Sequence, residues 1–209
     1  MDKKAQFFPI ADDNPIKTIP IVNWLLIIIN VIVFIYSLSD FENIISAFGF
    51  TPADFGFLTL FTSMFLHASI AHIAGNMWFL FIFGDNIEDR LGHLKYILFY
   101  MLSGIAASMA HFLLSIGSTI PAIGASGAIS GVLGAYLVFF PTAGVYVSGQ
   151  LGRVGKISAK LMLLLWFGIQ LVSSVTSLLG VDSGIAFFAH VGGFVFGVII
   201  ALFLKNMSQ

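Results

Sequence analysis

The 209-residue sequence predicts an all-α polytopic membrane protein, a bundle of six transmembrane helices with a membrane-embedded outer loop between spans one and two. Three observations carry this reading. Hydrophobic residues make up 58% of the chain and charged residues 9%, with a mean hydropathy of +1.01, well outside the range of soluble domains. Apolar stretches approaching the ~20 residues needed to cross a bilayer recur at 19–38, 69–84, 94–116, 126–140, 159–179 and 184–204. The nine Lys and Arg residues all fall on one side of that alternation. They are Lys3, Lys4 and Lys17 before span one, Arg90 and Lys95, then Arg153, Lys156 and Lys160, and finally Lys205. The opposite loops carry only acids among their charged residues, Asp40, Glu42, Asp54 and Asp182, so both termini are expected in the cytoplasm.

Composition also narrows function. A net charge of −1 with no basic run excludes a nucleic-acid partner, because nothing could neutralise a row of phosphates. With Cys 0 there is no disulfide, thiolate nucleophile or Cys-ligated metal. The spans account for the whole chain as one membrane domain, 1–209, whose partner is the lipid bilayer.

Span one follows a lysine-containing leader but is too long for a signal peptide and lacks a small-residue cleavage site, so it is expected to be retained. The outer loop, 39–68, is too apolar for a solvated linker. Ser39-x-x-Glu42 reads as a capping box ahead of Phe41, Ile44, Ile45 and Phe48 at helical spacing. A short interfacial helix is expected there, then a Thr51-Pro52 turn and a partly sunken segment around 57–66. Span two carries His72 and Asn76 one helical turn apart on one face. His111, near the outer end of span three, is an interfacial residue by position, and His93 is a solvated one at the cytoplasmic edge.

Span four is short. From Ser126 to the helix-stopping Pro141 there are about 15 residues, or ~22 Å at 1.5 Å per residue, against a hydrocarbon core of ~30 Å. Ser126 is therefore expected below the outer surface, with irregular backbone at 117–125 dipping in where protein or a water-filled cavity can satisfy it. The stretch 144–155, with Gly144, Gly149, Gly152 and Gly155, reads as a flexible connector. In span six, His190 lies about 9 Å deep by the same rise.

Ser126, His190, His72 and Asn76 thus reach similar depth on three even-numbered spans. Gly127-x-x-x-Gly131 and Gly193-x-x-x-Gly197 offer small-residue faces through which spans four and six can approach. If they do, a serine hydroxyl meets an imidazole base, and a helix N-terminus with His72, Asn76 and the Ser126 backbone N–H faces a developing oxyanion. No Asp or Glu lies at this depth in spans two, four or six, so the chemistry would be that of a Ser–His dyad. Each residue alone has a plainer role: serine in a membrane helix usually bonds backbone, and a histidine or asparagine can simply cross-link helices. His67 reads as a structural tie between the outer loop and span two. A b-type haem held by His72 and His190 is an alternative from another class.

Taken together, His67 with His72-x-x-x-Asn76, Gly124-x-Ser126-Gly127, and Ala189-His190 with Gly193-x-x-x-Gly197 resemble, in order and span assignment, the motifs of the rhomboid intramembrane serine proteases. The resemblance runs from span one to Leu204 and is to the minimal six-span form. It implies Ser126 as nucleophile, His190 as general base, and His72, Asn76 and the Ser126 backbone as oxyanion hole. It further implies single-span membrane proteins as substrates, cleaved near the outer face, with no cofactor or metal. A prokaryotic cytoplasmic membrane is the expected location, the site opening to the outer side. A catalytically silent relative that binds client transmembrane helices is the alternative. Two departures stand out: Ser130 occupies the position, one turn after the serine, where many members have an aromatic residue, and Leu58-Thr59 lie where a Trp-Arg pair is common.

Overall fold

A computed structural model describes residues 8–148, 154–179 and 185–207. Lys3, Lys4, Arg153, Asp182, Gly149, Gly152 and residue 184, which begins the sixth expected span, lie outside the described residues. Eight helices are described: α1 (Ile21–Ser37), α2 (Phe41–Phe48), α3 (Thr59–Thr62), α4 (Ile70–Leu91), α5 (His93–Leu114), α6 (Ser126–Phe139), α7 (Ala159–Leu178) and α8 (Phe187–Met207). Among the described residues α5, α7 and α8 are long and apolar enough to cross a membrane, and α4 joins them when taken with the preceding segment, which meets it at a 95° bend. Helices α1 and α6 are shorter apolar helices.

Helix α6 is the centre of the molecule. Every residue from Gly127 to Tyr136 is buried, as befits a helix apolar on all faces, and α8, α5 and α4 surround it. Helix α4 runs longer than its apolar stretch because its polar end is consumed by contacts. The buried Glu88 carboxylate accepts from the backbone N–H groups of Val22 and Asn23 at 2.9 and 2.7 Å, satisfying two of the orphan donors at the start of α1, where Pro20 supplies no side-chain cap. Asp89 does the same for Lys17 and Thr18 just upstream. His93, expected to be solvated, is exposed and also sets Nδ1 2.5 Å from the buried Glu88. Asn23 in turn donates to the Leu80 carbonyl and accepts from the buried Tyr96 hydroxyl.

The outer loop forms α2, but not by the expected cap. Ser39 Oγ donates backwards to the Tyr36 carbonyl, and Asp40 is the N-cap, its carboxylate engaged with the Asn43 amide. Ile45 is buried on the inner face while Phe48, placed on that face by spacing, is exposed. Phe50 exchanges backbone hydrogen bonds with Ala122, Ala53 N–H donates to Ser118, and Gly124 N–H donates to Ser63 at 2.9 Å. The irregular backbone before α6 is thereby satisfied by the loop lying over it.

The stretch 144–155 is not a plain connector, and the fold is not purely helical. Strands β2 (Gly144–Ser148) and β3 (Val154–Ser158) pair antiparallel with Tyr146 opposite Lys156, and β1 (Phe8–Asp12) pairs with β2 to give a three-stranded sheet in the order β1-β2-β3. The Val145-Tyr146-Val147 alternation explains it: both valines are buried and the tyrosine faces out, under the Lys156 ammonium. Strand β1 lies along α4, with Phe8 stacked on Trp78 at 6.0 Å and the Trp78 indole donating to the Pro9 carbonyl at 2.7 Å.

Asp12 and Asp13 fasten this sheet in opposite ways. Asp13 meets Lys156 Nζ at 2.6 Å and accepts from Gly144 N–H, which hold its carboxyl below the usual carboxylate range. Asp12 accepts from the Tyr136 hydroxyl and the Asn86 amide; burial pushes its carboxyl up to about 6, the tyrosine opposing and Asp85 and Asp13 adding to the rise. A carboxyl raised in the folded state contributes stability that is fully present below its unfolded value and lost as pH rises through about 6. Amides of β1 are therefore expected to exchange with solvent more slowly at about pH 4.5 than at about pH 7.5 relative to those of α6. Asp12→Asn should abolish that difference; an unchanged pH dependence in the variant would assign it to another group.

Candidate active site

The structure brings Ser126, His190, His72 and Asn76 to one cavity of about 570 Å³, bounded by α4, α6, α7 and the start of α8. The contact between α6 and α8 sets its geometry. A Cβ at Gly193 would collide with the Gly127 carbonyl oxygen, and one at Gly197 with that of Gly131; on α6, Gly131 itself lies against Ser103 of α5 and Gly127 against Ala107. No side chain separates the two backbones along this seam, which lets the serine at the head of α6 reach the histidine of α8. Ser126 Oγ lies 2.8 Å from His190 Nε2.

The other ring nitrogen fixes the protonation pattern. His190 Nδ1 lies 2.8 Å from Gln170 Oε1 on α7. An amide oxygen only accepts, so Nδ1 carries the proton and Nε2 is free to accept from the serine hydroxyl. The Trp166 ring, one turn before Gln170, is tilted 32° to the imidazole at 6.2 Å, and Phe187 meets it edge-on at 6.2 Å. Such a pair can transfer the hydroxyl proton to the ring when Oγ attacks an electrophile.

Donors converge on the opposite side. Ser69 caps α4 by accepting from His72 N–H, and Ala68 N–H points at His72 Nδ1 at 3.3 Å. A ring that accepts at Nδ1 carries its proton on Nε2 when neutral. That Nε2 faces Gly124: a Cβ built there would lie 2.8 Å from it and 3.7 Å from the Asn76 amide nitrogen. Gly124 also has φ +123°, in the region that only glycine occupies without strain. Asn76 Nδ2 is buried and, among the described residues, has no acceptor. The Ser126 N–H lies in the first turn of α6, where helix geometry supplies no partner. His72 Nε2 and the Asn76 amide thus flank Gly124, two residues before the serine whose N–H opens α6.

Two further histidines, His67 and His111, sit near this group. His67 is fully buried, its ring edge-on to His72 at 5.1 Å, between the outer loop and α4. His111 Nδ1 lies 3.4 Å from Ser115 Oγ. Ser130 is buried and donates to the Ser126 carbonyl at 2.6 Å, a bond within α6. Both nitrogens of His190 are engaged, so axial ligation of a haem would have to break one of its two hydrogen bonds. Among the described residues no three His, Asp or Glu side chains converge as a metal site would need. Sequence reasoning missed Gln170 and Trp166. The signal was present, since Gln170 is the one amide within 159–179, where a polar side chain is costly unless paired.

A hydroxyl–imidazole pair beside a cavity between apolar helices is the central feature of this site. The rhomboid domain model matches residues 54–207, and the chain belongs to the rhomboid family. It is 33% identical to RHOMBOID-like protein 6, mitochondrial, of Arabidopsis thaliana over 150 residues, covering 72% of this chain and 44% of that protein. It is 42% identical to Rhomboid protease GluP of Bacillus subtilis (strain 168) over 78 residues, covering 37% of this chain and 15% of that protein. A third relative, Presenilin-associated rhomboid-like protein, mitochondrial, of Bos taurus, is 28% identical over 146 residues, 65% of this chain and 35% of that protein. The chain thus spans less than half the length of these relatives.

The glycine seam makes a stability prediction independent of any activity. Gly197→Val places a branched side chain against the Gly131 carbonyl, and overpacking of this kind typically costs ~1–3 kcal/mol or more. Thermal unfolding in detergent should show a clear loss. Gly168→Val, at a position where an added Cβ meets nothing, should unfold close to wild type.

Proposed function

We propose that this rhomboid is an intramembrane serine endopeptidase that hydrolyses peptide bonds in the transmembrane segments of single-span membrane proteins. The observation that carries the reading is the 2.8 Å contact between Ser126 Oγ and His190 Nε2. In this mechanism Oγ attacks the scissile carbonyl while Nε2 takes its proton. The oxyanion is met by His72 Nε2–H, the Asn76 amide and the Ser126 backbone N–H, and the imidazolium returns the proton to the leaving amine. Water entering the cavity then repeats the sequence on the acyl-enzyme. The chain's own residues supply every step, so no cofactor is invoked.

The proposed setting is a single membrane domain of six spans, formed by α1, α4, α5, α6, α7 and α8, with both termini cytoplasmic and the site opening outward in a prokaryotic cytoplasmic membrane. The one-sided placement of Lys and Arg supports that orientation, and the short α6, 14 residues or ~21 Å long, supports a sunken serine.

An activated serine reacts with fluorophosphonates, whereas one without a base does not. Labelling of wild type is expected, mapping to Ser126 and vanishing in Ser126→Ala and His190→Ala, but persisting in His111→Ala and His93→Ala. Ser126-dependent cleavage within a panel of single-span proteins completes the test. Labelling that survives His190→Ala, or maps to Ser130, would favour a catalytically silent helix-binding protein instead.

The oxyanion assignment is tested separately. Asn76→Ala should lower kcat by about 10- to 10³-fold with KM little changed, as for one lost transition-state donor. A raised KM alone would make Asn76 a substrate-binding residue.

A further inference from the structure

The ring of His190 has a partner that the dyad reading does not use. Gln170 is buried on α7, its Oε1 2.8 Å from Nδ1, on the side of the imidazole away from Ser126. The three groups form one chain, Ser126 Oγ to Nε2 and Nδ1 to Gln170 Oε1, contributed by α6, α8 and α7 in turn. A histidine held only at Nε2 can rotate about its side-chain torsions or exchange tautomers, and the tautomer with the proton on Nε2 cannot accept from serine. In a serine hydrolase, loss of the correct tautomer alone removes most of the rate. Ser130 does not do the holding: its hydroxyl donates to the Ser126 carbonyl, and the two His190 nitrogens meet Gln170 and Ser126.

We propose that Gln170 is a positioning residue for His190: its amide oxygen holds the proton on Nδ1 and orients the ring, so that the reacting group is a Ser126–His190–Gln170 triad with a neutral third member. This rests on the hydrolase reading for its kinetic consequence, but its structural content, the tautomer of His190, does not depend on activity. Trp166, one turn away on the same helix, packs on the imidazole and limits its swing. Helix α7 therefore supplies the support that an aromatic residue on α6 would otherwise give.

Three variants of this chain test it. Gln170→Met keeps the length of the side chain and removes the strong acceptor, Gln170→Leu repeats that with a different shape, and Gln170→Glu restores an acceptor that also carries charge. The tautomer is read from imidazole ¹⁵N chemical shifts in histidine-labelled protein, with His190→Ala identifying the signal. Wild type should show a protonated Nδ1 and an unprotonated Nε2, and Gln170→Met a mixture. For both Met and Leu, kcat and the fluorophosphonate labelling rate should fall by about 10- to 100-fold, by analogy with the outer partners of metal-bound histidines, with KM unchanged. Gln170→Glu should recover most of that loss, and the acidic limb of its kcat–pH profile should move to higher pH, because a carboxylate stabilises the imidazolium. The titratable neighbours of His190, His72 on α4 and His111 on α5, are the same in all variants.

Wild-type kcat and an unchanged tautomer in both Gln170→Met and Gln170→Leu would overturn the proposal, as would a folded Gln170→Glu no more active than they are. An inert wild-type protein would defeat the hydrolase reading and leave the tautomer measurement to decide the role of Gln170.

Discussion

The site depends on one constraint, the backbone-to-backbone contact of α6 with α8. Lipid tails are as apolar as leucine, so helices in a membrane gain little from hiding apolar surface against each other and must associate through close packing and hydrogen bonds. Here glycines at 127 and 131 on one helix and 193 and 197 on the other bring main chains into direct contact. A separation larger by one methyl group would carry Ser126 out of reach of His190, since the two side chains are short and meet at 2.8 Å. The same seam explains why α6 tolerates being so short. Enclosed by α4, α5 and α8, it need not reach either membrane surface, and its serine can begin a helix inside the protein.

Around that seam the polar groups work as fasteners at the two ends of α4. At one end Ser69 and Ala68 orient His72, and Asn76 follows one turn later with a free amide. At the other, Glu88 caps α1 and Asn86 reaches the N-terminal strand. Helix α4 is thus registered against the rest of the molecule at both ends, which is what holding His72 and Asn76 beside Gly124 requires. Phe79 connects the two regions: it lines the cavity and meets Phe8 of β1 edge-on at 6.4 Å. The small sheet is therefore packed beside the deep part of the cavity, and its attachment through Asp12 and Tyr136 bears on the wall of the site.

What the sequence disclosed follows from periodicity and cost. Helical stretches announce themselves through long apolar runs, and four polar residues at matching depth on three helices stand out because each is expensive there. The glycine spacing was readable for the same reason. The sheet was hidden because five-residue strands beside glycines look like a linker, and only the alternation of Val145, Tyr146 and Val147 separates the two. The Ser39 cap failed because the hydroxyl found the end of α1 before the start of α2, a competition between two adjacent helix termini that a motif does not weigh. Gln170 was missed on a different ground. A search for a third member of a hydrolytic group looks for a carboxylate, and an amide on an odd-numbered helix falls outside it.

That the group behind His190 is an amide has its own physical logic. A carboxylate there would stabilise the imidazolium formed during attack, but it would have to be ionised at a buried position. Burying an unpaired charge costs several kcal/mol even after relaxation, a cost that the hydrogen bond from Nδ1–H and the imidazolium it faces would have to offset. Gln170 accepts without ionising, so the direction of the Nδ1–H hydrogen bond is independent of pH. The site gives up electrostatic stabilisation of the imidazolium and keeps an orientation that the bilayer does not penalise. In the proposed mechanism the charge of the transition state would fall chiefly to the oxyanion side, on His72, Asn76 and the head of α6. A hydrolytic centre built from neutral groups alone would have to place its donors well, and the tight seam between α6 and α8 would allow it.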